Sequence, residues 1–305
     1  MYLNNETFVD YVNRILNSLR EGDFPDTRQV GKNVVIDTLT SRRFSFLSKQ
    51  AQAPAVEALR AYVARQERSC CSLDFYLNVG GGFRPKAVAV ATAENGLTFG
   101  EILLLFQVKA FLHRVQPHVQ FGITFTLFIS DVCAKSIYGI PFELSGQYVK
   151  VLRNIVSHYE IDGLRVVRES EYARDYTGEW NESYVVGVAP KDQARIERYL
   201  DHPASQAELL QIQSKYVFYT ALAKRLARKT LNGFFLAQRP STPSELCFRS
   251  FPGGDGKMHA GAIVLTRNIA GAIVPRLVPD LRRVSYSMLR GDGWPCPVLY
   301  SEKFL

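Results

Sequence analysis

Gly80-Gly81-Gly82, followed by Phe83-Arg84-Pro85-Lys86, is the first cluster in this chain with the composition of a binding site. Consecutive glycines let the backbone approach a ligand closely and expose N–H groups that can hold an anion. Arg84 and Lys86 add positive charge at the same edge. The pattern is neither a Walker A loop nor GxGxxG, so it names an anion without naming which one. A glycine turn with two solvated cations is the competing reading. Asp131, after Ser130, ends the apolar run GITFTLFIS (122–130). An acid there can accept a proton or hold an amine or hydroxyl, and a helix-capping role fits the position equally. Glu101 lies close enough to the glycine loop in sequence to pair with a substrate ammonium, although first-turn carboxylates favour helix N-termini in any case.

Two further clusters are cationic. Arg249, Lys257, His259 and Arg267 fall on or beside two short apolar runs, 246–251 and 260–266, separated by Gly253-Gly254-Asp255-Gly256. If these runs pair as a hairpin, Arg249 and His259 approach each other and offer a phosphate site, which arginine suits through its bidentate fork. The helix KYVFYTALAKRLARK (215–229) gathers Lys224, Arg225, Arg228 and Lys229 beside aromatic residues. Such a helix can track RNA phosphates, or the charge can be its wet face. No GxSxG occurs, and no cysteine has a nucleophile's context. The five cysteines form no CxxC pair, and His113 and His118 stand five apart rather than the three or four that share a helical face. No metal site is predicted.

The elements that must position these groups alternate. A helix over 6–19 carries Phe8, Val12, Ile15 and Leu19 on one stripe, and a second helix runs from about 51 to 67. A strand at 72–79 leads into the glycine loop. Thr98 and Glu101 then form a capping box that opens the helix EILLLFQVKAFLHRV. The strand 122–130 is apolar on both faces, as a strand covered by helices on both sides should be. A helix at 143–159, strands at 164–167 and 184–189, and helices at 191–201 and 204–230 follow. The last residues read as short strands at 246–251, 260–266, 284–289 and 297–300. Strands alternating with helices predict an α/β fold with a Rossmann-like, mostly parallel sheet flanked by helices, and a smaller C-terminal β-rich element. The corresponding division is an N-terminal helical segment (1–68), an α/β core (69–238) and a C-terminal element completing the site (239–305).

Composition sets outer bounds. The 305 residues are 47% hydrophobic and 22% charged, with a formal net charge of +8. That suits an anionic ligand and is too weak to establish nucleic-acid binding alone. No uncharged run approaches the ~20 apolar residues of a membrane span. The opening MYLNNETFVDYV lacks a basic-then-apolar layout, so a cytoplasmic protein without membrane partners is expected.

In ordered pattern over roughly 75–300, the chain resembles the isocyanide (isonitrile) synthases and the related dityrosine spore-wall proteins. Arg84-Pro85-Lys86 stands for that family's early lysine loop, Glu101 for the acid opening a long helix, and Phe121-Gly122 and Ser130-Asp131 for the segment ending in Ser-Asp-Gly. The helix 215–229, Cys247 to Pro252 and Trp294-Pro295-Cys296-Pro297 occupy further matching places. Val132 replaces the expected glycine, Phe251 and Leu299 replace expected histidines, and Arg249 stands two positions after Cys247, where the family has arginine. The resemblance implies an enzyme of specialised metabolism that joins an amino-acid amine, often that of tyrosine or tryptophan, to ribulose 5-phosphate. The sugar supplies the isocyanide carbon, and no metal or redox cofactor takes part. It implies Lys86, Asp131 and Glu101 as catalytic groups and Arg84, Lys86 and Arg249 as the phosphate clamp, with His259 joining through the hairpin. An RNA-binding protein or aminoacyl-tRNA-dependent transferase using 215–229 is the alternative, and an inactive relative is a third.

Overall fold

Phe8, Val12 and Leu16, four residues apart, give α1 (Phe8–Glu21) one buried stripe. Thr7 and Asp10 close its first turn reciprocally: Thr7 N and Oγ1 donate to the Asp10 carboxylate at 3.0 and 2.6 Å, and Asp10 N donates to Thr7 Oγ1 at 3.1 Å. A computed structural model describes residues 7–21, 33–79, 91–92, 94–172, 193, 196–197, 203–231, 233–238, 240, 243–250, 263–277 and 285–302. Arg84, Lys86, Lys257, His259 and the strand expected at 184–189 lie outside these residues, as does most of the helix expected at 191–201.

After α1 come α2 (Val34–Leu39) and α3 (Ala53–Arg68). Tyr62 ties α3 to β1 (Leu73–Val79), its hydroxyl accepting from Asp74 N at 2.8 Å and donating to Asp74 O at 3.0 Å. The short β2 (Leu97–Thr98) runs straight into α4 (Phe99–Val115). β3 (Ile123–Ile129), α5 (Asp131–Tyr138), α6 (Phe142–His158), β4 (Leu164–Arg168) and the single turn α7 (Glu169–Tyr172) complete the first half. The long α8 (Gln206–Leu231) precedes β5 (Phe234–Ala237) and β6 (Leu246–Cys247). Last come β7 (Ile263–Arg267), β8 (Ile273–Leu277), β9 (Ser287–Leu289) and β10 (Val298–Tyr300).

One sheet has the order β4-β3-β1-β5-β6, parallel throughout. The chain builds outward from β1 through β3 to β4, then crosses back to add β5 and β6 on the other side. The order therefore reverses between β1 and β5, and in such sheets ligands bind outside the carboxyl ends of the strands at that point. The second sheet runs β2-β10-β7-β8, with β9 antiparallel to β10 and β8 antiparallel to β7. This is the α/β fold that the alternating elements predict, with a parallel sheet and a smaller mixed one.

Burial on both sides of the parallel sheet follows strand alternation. Phe75, Leu77, Phe125 and Leu127 point into the main core, where Phe111 meets Phe44, Phe75, Phe125 and Phe248 at centroid separations of 5.7 to 6.1 Å. Tyr76 and Phe128 face the opposite side, packed with Val167, Tyr172 and Phe235. α8 packs against β1, α5 and α7. Gly163, in the turn just before β4, lies in the left-handed region (φ 79°), where a Cβ would sit 2.9 Å from Ile123 O.

The expected hairpin between 246–251 and 260–266 does not form. β6 pairs in parallel with β5 (Leu236↔Leu246, Ala237↔Cys247), whereas β7 belongs to the other sheet and pairs with β8 and β10. Leu246, Cys247 and Phe248 are fully buried, and a surface hairpin would leave that apolar run half exposed. The tight turn instead joins β7 to β8 through Asn268–Gly271, where Asn268 N donates to Ala272 O at 2.9 Å. No helix of the described residues is long and apolar enough to cross a membrane.

Candidate active site

Because every strand of the first sheet is parallel, their carboxyl ends share one edge, and the chemistry-bearing residues gather there. β1 ends at Asn78-Val79 and enters the glycine run at Gly80. Ser130, after β3, donates its hydroxyl to Asn78 Oδ1 at 2.7 Å and so joins the two neighbouring strand ends. Asp131 follows as the first residue of α5 and is fully buried. Its carboxylate accepts from Arg168 Nε at 2.8 Å, Ser170 N at 2.9 Å and Ser170 Oγ at 2.5 Å. Arg168 ends β4, and its guanidinium also donates to Phe142 O at 3.1 Å. These three donors occupy both oxygens of the Asp131 carboxylate and hold it in place.

Glu169, between Arg168 and Ser170, is the second acid of this edge. It is fully buried, and one oxygen accepts from Cys133 N at 3.4 Å. Among the described residues its Oε1 has no hydrogen-bond partner. Burial pushes the Glu169 carboxyl up to about 8 against the N–H groups of Cys133 and Val132, and the Asp131 charge adds to the rise. The sequence reading passes over Arg168, Glu169 and Ser170. Their signal is the run Arg-Glu-Ser directly after the strand LRVV, charged residues placed where a buried parallel strand reaches the ligand edge.

Glu101 occupies a different setting, at the start of α4 where it leaves the second sheet. It is 2% exposed. Thr98 Oγ1 donates to one carboxylate oxygen and Tyr148 OH, from α6, donates to the other at 3.3 Å. Burial drives its carboxyl up to about 7, opposed by those hydroxyls and by the backbone N–H groups of Glu101 and Thr98. Thr98 is the N-cap residue of α4, as the sequence predicts, but the box is not closed in the usual way: the Thr98 hydroxyl goes to the Glu101 carboxylate instead of a backbone N–H, and both residues are buried. Cys296, from the Trp294–Pro297 segment, lies within the field of Glu101, and burial with that charge pushes its thiol up to about 12. Trp294 Nε1 donates to Asn13 Oδ1 at 2.6 Å and holds this segment against α1.

Arg249 follows β6 at the far side of the sheet, three strands from β3, or ~14 Å at the usual strand spacing. Its N–H donates to Phe44 O at 2.7 Å. Its buried Nε has no hydrogen-bond partner among the described residues, and partial burial lowers its pKa from the ordinary guanidinium value. Asp131 and Arg249 therefore stand on one edge, three strands apart. Of the other candidates, Arg84 and Lys86 belong to the segment that continues β1, and His259 to the segment between β6 and β7. Among the described residues no three His, Cys, Asp or Glu side chains gather as a metal would require.

No protein-family model matches this chain, and no curated protein matches its sequence. Among solved structures, the PvcA protein from Pseudomonas aeruginosa aligns with a TM-score of 0.60 at 12% identity, over 87% of this chain and 99% of that one. At that identity the likeness shows a shared fold, extending across nearly the whole of both chains.

Proposed function

We propose that this chain is an enzyme of the isocyanide synthase type, condensing the amine of an amino acid with a pentose phosphate. The observation that carries the reading is the fold held in common with PvcA, an enzyme of that type, over 87% of this chain. The sequence pattern, from the glycine-lysine loop through Ser130-Asp131 to Trp294-Pro295, points to the same family independently. Asp131 and Arg249, which follow strands of the parallel sheet at its carboxyl edge, support the reading. Arg249, with Arg84, Lys86 and His259, is assigned the phosphate, and arginine orients as well as binds that group. The amino-acid amine attacks the sugar ketone, an acid expels water from the carbinolamine, and a base serves the later enolisations. Lys86 is assigned to proton transfer, and Asp131 and Glu101 to holding the amine. Ribulose 5-phosphate is the sugar, acting as co-substrate, and the product is an isocyanide.

The test is thermal stability of the protein with ribulose 5-phosphate, inorganic phosphate or bulk tRNA, each at low and high salt. A ligand at about 100 times its Kd raises stability by about 2.7 kcal/mol. The expected result is a salt-tolerant shift with the pentose phosphate, followed by an isocyanide product in the mass spectrum when tyrosine or tryptophan is added. A shift with tRNA alone, lost at high salt, would replace this reading with RNA binding through 215–229.

A further inference from the structure

Asp131 and Glu169 are two buried acids at one strand edge with opposite surroundings. Asp131 has a guanidinium, an amide and a hydroxyl on its oxygens. Glu169 has backbone N–H groups at one oxygen and none at the other. Among the described residues, Arg168 is turned to Asp131 and to Phe142 O, and Arg153 pairs with Glu171 at 3.0 Å. α8 packs across α5 and α7, and among its described residues the buried polar ones, Gln213 and Ser214, carry no charge. Two adjacent buried carboxyls do not both ionise. The proton belongs on Glu169, because the cation is on Asp131. A neutral carboxyl has an O–H to give, and Oε1 finds no acceptor among the described residues. An orphaned buried donor at the edge where α/β sheets bind ligands points to an acceptor on the ligand.

We propose that Glu169 is the proton donor of this site and that its acceptor is the hydroxyl of the carbinolamine, a step that rests on the condensation proposed above. The Glu169 O–H bond breaks and the proton passes to that hydroxyl. The C–O bond then breaks with its electron pair, releasing water, while the nitrogen lone pair forms C=N and leaves an iminium. The Glu169 carboxylate takes the iminium N–H proton, giving the neutral imine and restoring the acid. One water leaves, and nothing is oxidised or reduced. Burial keeps the proton on Glu169, and the neighbouring Asp131, held by Arg168, adds to that. The carboxyl's rise to about 8 keeps it loaded at neutral pH.

The experiment is steady-state kinetics of wild type and Glu169→Gln with tyrosine or tryptophan and ribulose 5-phosphate, together with infrared titration of the wild-type carboxylic-acid band. The amide keeps the shape and a donor while losing the transferable proton. The expected result is a fall in kcat of about 100-fold or more with little change in either KM. The wild-type rate should also decline as the carboxylic-acid band is lost near pH 8. A Glu169→Gln enzyme as fast as wild type overturns the step alone. A wild-type titration without an acid ionising in that range overturns it too, and needs no variant to fold. A wild type that forms no product from either amine overturns the condensation reading and this step together.

Discussion

Replacing Glu101 by glutamine tests the buried-acid reasoning without any knowledge of substrate. The folded chain holds the Glu101 proton up to about pH 7, whereas the unfolded chain releases it near the ordinary 4.5. Between those values the folded state binds more protons than the unfolded state, so stability falls as pH rises through this window and levels off above it. The interval at 1.36 kcal/mol per pH unit gives a loss on the order of 3 kcal/mol. Glutamine cannot ionise. Its oxygen can still accept from Thr98, and its amide can donate to Tyr148 where the hydroxyl now donates at 3.3 Å. Relative to wild type, Glu101→Gln should therefore gain about 3 kcal/mol between pH 5 and pH 8.5. At roughly 2.1 cal/mol/K of unfolding entropy per residue, that is a differential Tm shift of roughly 5 °C for 305 residues. Urea denaturation at both pH values is the assay. Parallel wild-type and variant stability profiles across that window would show that Glu101 ionises normally in the fold, and the burial argument would fail.

Other perturbations read the remaining supports of the site. Asp131→Asn leaves the Arg168 guanidinium without its anion, and should cost about 3 kcal/mol by urea titration; adding Arg168→Met should recover part of that loss, and strict additivity would deny the pairing. Phe111→Ala removes the ring that touches Phe44, Phe75, Phe125 and Phe248, with an expected loss of about 3–5 kcal/mol in chemical denaturation. Gly233→Ala places a Cβ 2.4 Å from Asp74 O where β5 joins β1, so a loss of about 1–3 kcal/mol is expected, and unchanged stability would mean that β5 lies elsewhere.

The fold was legible in the sequence wherever burial left a local imprint. ITFTLFI is apolar on both faces because both faces of β3 are covered, and α4 is announced by Thr98 and Glu101 at its start. α2 is hidden in a stretch that looks polar, since only Val34, Val35, Ile36 and Leu39 carry its apolar signal. The sequence around β6 reads as half of a hairpin because parallel pairing leaves no turn to read. Its partner, β5, lies across a loop, and Leu246 and Cys247 are as apolar as any hairpin strand. Arg168 and Ser170 escaped notice for a related reason: their role depends on β4 lying beside β3, a contact 37 residues away in the chain. Residue type alone shows that Asp131 is an acid. Only the sheet order shows that it is already paired.

That pairing changes where a proton is to be sought. A buried carboxylate with a guanidinium and two more donors has both oxygens occupied, and another group reaches them only by displacing a donor. The protonatable groups of the described residues are instead the two acids whose burial outweighs their hydrogen bonds, Glu101 at about 7 and Glu169 at about 8. They differ in what surrounds the proton. Around Glu101, Thr98 and Tyr148 occupy both oxygens, whereas Glu169 has an oxygen left over beside a charged partner. Only the second arrangement lets a proton leave without first breaking a side-chain hydrogen bond. If chemistry occurs at the carboxyl edge, therefore, removing the Glu169 proton should slow it, whereas Glu101→Gln should act first on stability and its pH dependence. Measuring both effects for both variants separates a proton that reacts from a proton that holds the core.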